Sequence, residues 1–408
     1  MNMLGDTDHV VVVGAGLAGW RFIEALRREG YAGALTLIGD ESHLPYDRPP
    51  LSKQVLVGKW TVEHAMLASD DELAGAAVHL LLGTPATGLD VATTTVHLAD
   101  DTAVAGTHVV IATGSRARLL PFSAGRHLHT VRSIDDVVRL NVDLAPLDPE
   151  SVVAVIGGGF IGAEVATALR TRGLRPVILE AAERPLINVL GPEVSSWLEG
   201  LPAAAGIELR TRQAIVDVEG SDGDFHVLFT EGRSLAARAV VVGAGAVPNV
   251  EWLATSGLSI ENGVVVDEHL FATERVAAIG DVARFEWMNV AGSELTRIEH
   301  WQIANDHAGT LARYWTSAVV QAKLLVPYFW SDQYAKKIQL LGHPRPGDDV
   351  TMVAGSVDDT KWVALYSRDG LVTGVVTLSQ PRGLMLSKHF LETPTQLDEA
   401  LAGAPWAT

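Results

Sequence analysis

The 408-residue sequence contains no cysteine. That one absence excludes disulfides, Cys-ligated zinc, iron–sulfur clusters and thiol catalysis. Positive charge is scarce, with 31 Lys and Arg against 49 Asp and Glu, a net charge of −18. A nucleic-acid binder needs a basic face, so that class is not expected. No stretch reaches the roughly 18 uninterrupted apolar residues of a membrane span. Met1 to His9 lacks a basic stretch followed by an apolar core, so no secretory leader is expected and the cytoplasm is the expected compartment. None of the 14 His residues stands in a metal-ligand pattern. The Gly-x-x-x-x-Gly-Lys-Ser/Thr run of mononucleotide kinases and ATPases is also missing. Any redox chemistry therefore needs a borrowed cofactor. What is present is 48% apolar residues and 39 glycines, the make-up of an α/β nucleotide-binding protein. The length calls for two or three domains.

The most informative feature is an internal repeat. Val10–Val13 runs into Gly14-Ala15-Gly16-Leu17-Ala18-Gly19 and a helical stretch to about Arg28. Val152–Ile156 runs into Gly157-Gly158-Gly159-Phe160-Ile161-Gly162 and a helical stretch to about Arg172. The apolar runs have the β-branched content of buried parallel strands. Ala18, Phe22, Ala25 and Leu26 form the apolar stripe of the first helix. Gly30 and Gly173 stop the two helices, each 16 residues past the first Gly of its motif. Second strands follow at Leu35–Ile38 and Val177–Leu179, which makes two βαβ units.

Each Gly-x-Gly-x-x-Gly has a mechanical reason. The first Gly makes the tight turn (Gly14, Gly157), the second lets a pyrophosphate approach the backbone (Gly16, Gly159), and the third packs helix on strand (Gly19, Gly162). The free amides and positive end of the helix then hold phosphates. The copies differ where the second strand ends. Glu180 stands there in the second copy, 23 residues after Gly157, placed to accept the ribose hydroxyls of an adenosine. The first copy has Gly39-Asp40-Glu41, which makes Asp40 its expected ribose partner.

Three further strands run into glycine at His108–Gly114, Ala239–Gly245 and Val276–Gly280. From about Val326 the pattern changes to shorter apolar runs, with turns at Gly342-His343-Pro344 and Arg368-Asp369-Gly370 and alternation in Trp362–Tyr366. These features predict a small α+β domain led by antiparallel strands. The acidity is uneven: residues 1–300 carry 22 basic and 39 acidic residues, and 301–408 carry 9 and 10. The near-neutral end is the expected docking side for an acidic partner.

On these motifs the chain resembles the FAD-dependent NADH:ferredoxin reductases of bacterial oxygenase systems. The marks are Pro45-Tyr46-Asp47-Arg48-Pro49-Pro50-Leu51-Ser52-Lys53, Ala112-Thr113-Gly114, the second Gly motif with Ala163-Glu164, Gly280-Asp281, Arg297-Ile298-Glu299 and Trp330-Ser331-Asp332-Gln333-Tyr334. They extend over essentially the whole chain. The resemblance implies that the first Gly motif binds FAD non-covalently and the second binds NADH. It implies that Asp281 bonds the ribitol chain, although a helix N-cap is a second reading of that residue. Arg48 and Arg132 would face the pyrophosphate. Lys53 would lie beside the flavin ring, where a cation stabilises negative charge on the reduced ring. Glu164 would reach either Lys53 or the nicotinamide carboxamide. Ala86 and Trp301 would contact FAD through the backbone, and Trp330 would stand near the flavin on the ferredoxin side. Ala18, Thr113, Gly114, Ile161, Gly245 and Gly280 complete the expected nucleotide contacts. Arg184, four residues past Glu180, would bind the pyrophosphate or the adenine end of NADH, or swing toward a 2′-phosphate.

The implied fold is α/β: two Rossmann-like dinucleotide-binding domains in a glutathione-reductase-like arrangement, plus a C-terminal α+β domain. The spans would be 1–115 with 247–325 for FAD, 116–246 for NADH, and 326–408. The implied activity takes hydride from NADH onto FAD and releases single electrons to a two-iron ferredoxin that feeds a haem monooxygenase or Rieske dioxygenase. Two other classes share the scaffold: flavin oxidases that reduce oxygen, and regulatory flavoproteins related to apoptosis-inducing factor.

Overall fold

The computed structural model describes residues 3–230, 232–289, 292–317 and 325–406. The expected domain spans also include 1–2, 231, 290–291, 318–324 and 407–408, which lie outside the described residues. The chain divides into two compact units. One comprises Met1–Asp47, Met66–Arg116 and Val247–Phe329; the other comprises Arg48–Ala65, Ala117–Ala246 and Trp330–Thr408.

The first unit is built on a six-stranded sheet in the order Phe271–Thr273, Val276–Ala278, His108–Ile111, His9–Val13, Ala34–Ile38, His79–Leu81. All neighbours are parallel except the first pair. Val10, Val11 and Val12 are wholly buried at its centre, as a continuous β-branched run in a two-faced sheet should be. The helix Leu17–Arg28 returns from the first strand, and its stripe of Ala18, Phe22, Ala25 and Leu26 is buried. It packs against the helix Trp301–Thr316, where Phe22 meets Trp315 edge-on at 5.4 Å. Gly30 takes a φ of 93° just past the helix end, the left-handed conformation that a Cβ disfavours.

The second unit repeats the plan with a parallel sheet ordered Glu208–Arg210, Arg175–Leu179, Val152–Ile156, Ala239–Val242. The helix Phe160–Thr171 follows its Gly motif. Each unit also carries a three-stranded antiparallel meander. These are Ala86–Asp90, Thr95–Leu98, Ala103–Ala105 in the first and Ile215–Ser221, Asp224–Phe229, Ser234–Ala237 in the second.

The C-terminal segment forms a five-stranded sheet in the order Tyr328–Gln333, Lys336–Gly342, Leu371–Leu378, Trp362–Arg368, Asp349–Ala354. Asp369 and Gly370, both with positive φ, make the two-residue turn between Trp362–Arg368 and Leu371–Leu378. The alternation expected in Trp362–Tyr366 is not observed: all five side chains are buried. The strand is internal to its sheet and covered on both faces, so it reads as a continuous apolar run.

Candidate functional site

In the first unit the glycines of the first motif do separate jobs. A Cβ on Gly14, whose φ is 121°, would fall on the carbonyl of Ala112, and one on Gly19 would fall on the carbonyl of Gly14. Gly16 is different: a Cβ there would meet nothing within 4 Å, and no side chain caps the helix that follows. Gly16 is thus kept open in front of a bare helix N-terminus, the cradle a pyrophosphate requires. In the second unit a Cβ on Gly157 would strike the carbonyl of Gly243, and one on Gly162 would strike that of Gly157. Gly159 is open, and its helix also lacks a side-chain cap. Ile161, in the first turn of that helix, is 45% exposed beside the cradle.

The strand ends separate the two copies. Glu180 is fixed by two backbone amides, accepting from Gly158 and from Ala182, each at 2.7 Å. Both oxygens keep a second lone pair for hydroxyl donors. The equivalent place in the first copy is Gly39, where a Cβ would lie 2.7 Å from that of Ala15, so no acid fits there. Asp40 is exposed, whereas the next residue, Glu41, accepts from the hydroxyl of the buried Tyr46. Glu41 was not among the sequence candidates; it is the carboxylate this turn holds in a fixed orientation. Arg184 is bound by Glu183 at 3.0 Å and Glu199 at 3.3 Å, and Arg212 also pairs with Glu183.

Around Asp281 the first unit assembles four anchors. Its carboxylate accepts from Ser115 at 3.0 Å, and its carbonyl accepts from Arg297 at 3.0 Å. The preceding Gly280 has a φ of 72° and donates its N–H to Nδ1 of the wholly buried His307. A Cβ on Gly280 would crowd that of Ala18 at 2.8 Å, which ties the turn to the first Gly motif. Asp281 lies inside the 3₁₀ turn Gly280–Val282, whose N-cap is Ile279, so it is not the cap. Thr113 and Asn249 exchange side-chain-to-carbonyl bonds at 2.8 Å each, and Gly114 adopts a φ of 63°. Trp301 opens its helix and donates Nε1–H to Asp47 at 2.7 Å. Ala86 begins the strand Ala86–Asp90 and packs on the core of this unit.

The second unit holds a buried charge pair. Lys53 Nζ lies 2.6 Å from Glu164 Oε2, with side-chain exposures of 15% and 3%. Of the two partners left open for Glu164, the structure supplies Lys53. Ser52 donates to the same oxygen at 2.6 Å, and Ser331 donates to Oε1 at 2.6 Å. Adjacent residues 52 and 53 reach one oxygen because Leu51–Val55 is a π-helical turn, with Val55 N–H bonded to Pro50 at 3.0 Å. Arg48 donates to the carbonyl of Arg132 at 2.6 Å, so those two candidates meet. Gly245, at φ 91°, accepts from the amide of Arg118, and Trp330 lies partly buried next to Ser331. Ser52 and Ser331 stand inside two of the family motifs, but nothing in the sequence marks either serine as a site residue. Among the described residues no cluster of His, Asp or Glu is arranged to hold a metal, and no helix is long and apolar enough to cross a membrane.

Comparison with known proteins agrees with this geometry. Residues 8–308 match the model for the pyridine nucleotide-disulphide oxidoreductases, and 328–406 match the reductase C-terminal model. The chain is 35% identical to rhodocoxin reductase of Rhodococcus erythropolis, over 95% of this chain and 90% of that one. It is also 35% identical to the ferredoxin reductase component of chlorobenzene dioxygenase from a Cupriavidus species, over 96% and 94%. Among solved structures, the covalent putidaredoxin reductase–putidaredoxin complex superposes with a TM-score of 0.91 at 30% identity, covering 99% of this chain and 100% of the other. The open glycine cradles, the fixed acid at the second strand end and the two matched models converge on one assignment: the chain belongs to the pyridine nucleotide-disulphide oxidoreductase family, among the NADH-dependent, FAD-containing ferredoxin reductases of oxygenase systems.

Proposed function

We propose that this protein oxidises NADH and reduces a two-iron ferredoxin that serves an oxygenase. The observation that carries the reading is the pair of uncapped, glycine-opened helix N-termini, one in each unit. When bound, FAD supplies the means of accepting two electrons as a hydride and returning them singly. The first unit would hold it through Gly14, Gly16, Gly19, Thr113, Gly280 and Asp281. Asp281 is already aimed by Ser115 and by the Gly280 turn, so it accepts from ribitol hydroxyls without reorganising. At the adenosine end, Glu41 joins Asp40 as a ribose acceptor. The second unit would hold NADH through Gly157, Gly159, Gly162 and Glu180. Lys53 supplies a positive charge for the redox step, and Glu164 fixes where that charge stands. Neither residue has to transfer a proton.

The proposed functional domains are 1–115 with 247–325, 116–246 and 326–408, and the proposed compartment is the cytoplasm, although the compact units group Arg48–Ala65 and Trp330–Thr408 with Ala117–Ala246. The deciding experiment mixes the flavin-loaded protein with NADH and a purified two-iron ferredoxin under anaerobic conditions. Rapid ferredoxin reduction is expected. Fast oxygen consumption with no ferredoxin reduction would instead identify an oxidase.

A further inference from the structure

We infer that Ser331 is a positioning residue for the redox step, acting through Glu164; this rests on the reading of Lys53 and Glu164 given above. Glu164 is 3% exposed, so its charge must be matched by neighbours and not by water. Lys53 and Ser52 both serve Oε2, each at 2.6 Å. Oε1 receives Ser331 at 2.6 Å and has no other donor among the described residues. Ser331 is itself wholly buried, and Gln333 Nε2 donates to its oxygen at 3.2 Å. A hydroxyl has one proton to give. With its oxygen occupied by Gln333, that proton is committed to Glu164.

The consequence is an orientation lock. Without the Ser331 hydroxyl, Oε1 is a buried carboxylate oxygen with no donor, and the group gains by turning it toward Lys53 or Ser52. Either turn displaces the ammonium, which among the described residues is held otherwise only by the Pro49 carbonyl at 3.2 Å and Ser52 at 3.4 Å. The backbone supports the lock. Tyr334 donates its N–H to Thr167 Oγ1 at 3.0 Å, so the chain leaving Ser331 is pinned three residues further along the helix that carries Glu164. Trp330 adjoins the first anchor, so the strand bearing this aromatic and the helix bearing Glu164 keep one register.

The test is stopped-flow reduction of the flavin-loaded enzyme by NADH, comparing Ser331→Ala, Ser331→Thr, Glu164→Gln and the Ser331→Ala/Glu164→Gln double variant. Ser331→Ala is expected to lower the limiting rate about 10- to 100-fold, the worth of one hydrogen bond to a buried charge, with the NADH concentration dependence moving less than about threefold. Ser331→Thr, which keeps the hydroxyl, should recover most of the rate. The double variant should be no slower than the slower single variant, because both changes act on one group. A limiting rate for Ser331→Ala within about threefold of the parent would overturn the inference, as would fully multiplicative losses. If Glu164→Gln itself reduces at the parental rate, the assignment of the Lys53–Glu164 pair to the redox step fails instead.

Discussion

Lowering the pH from 7.5 to 5 should destabilise the first unit, most of all through His307, whose imidazole is pushed further down by burial than that of the half-buried His108. His307 is wholly buried in the helix Trp301–Thr316, with Phe285 edge-on at 4.6 Å. Nδ1 accepts from the Gly280 amide, which places the ring proton on Nε2, an atom with no hydrogen-bond partner among the described residues. A second proton would have to enter on Nδ1, facing a donor. Burial pushes the imidazole down from 6.5 to about 3, against a weaker upward pull from Asp281. The depressed value fixes the sign. Between these two values the unfolded chain binds a proton that the native state refuses, so stability is full above about pH 6.5 and declines as pH falls toward 3. With 1.36 kcal/mol per unit, the loss is about 2 kcal/mol at pH 5 and about 4 kcal/mol by pH 3. Asn at 307 offers Oδ1 to the Gly280 amide and does not titrate. His307→Asn should be less stable than the parent at pH 7.5 by about 1–3 kcal/mol, for the volume removed. That gap should shrink by about 2 kcal/mol at pH 5. Urea unfolding at pH 7.5, 6 and 5 measures both. Parallel stability profiles for the two proteins would refute the reasoning, since they would mean that the native state accepts the proton.

Two further outcomes follow from the nucleotide sites. Asp281→Ala should lose much of its FAD on gel filtration, because the acceptor that Ser115 and the Gly280 turn hold in place is gone; full retention would remove Asp281 from the ribitol assignment. NADPH should be used less well than NADH by roughly 30- to 1000-fold in kcat/KM, since a 2′-phosphate would face the Glu180 carboxylate at a cost of about 2–4 kcal/mol. The nearby cations are already matched, Arg184 by Glu183 and Glu199 and Arg212 by Glu183. Equal kcat/KM values would show that Glu180 does not read the ribose.

How far the sequence discloses this protein depends on how local each feature is. The two βαβ units are legible because strand, glycine turn and helix are consecutive and each imposes its own period on the chain. The three glycine roles follow from the same local geometry, and Gly14, Gly16 and Gly19 occupy the places that the motif assigns them. The strand-end acid is half legible. Glu180 stands where expected, but in the first copy Ala15 fills the space that an acid at Gly39 would need, and this pushes the carboxylates to Asp40 and Glu41. One-dimensional spacing does not show that exchange of volume between residues 24 positions apart. The environment of Glu164 is illegible for a stronger reason. Its partners lie 111, 112 and 167 residues away, two are serines, and serine is common enough to carry no pattern of its own. The π-helical turn that aims Ser52 and Lys53 together also leaves no distinctive spacing, because it spans only five residues. Buried charge itself points to the missing residues. A glutamate predicted to be buried and ionised needs donors for both oxygens, and one lysine can serve only one of them well. The remaining donor must come from another segment, and the Trp330-Ser331-Asp332 run holds a hydroxyl next to an aromatic that the resemblance only proposes for the site.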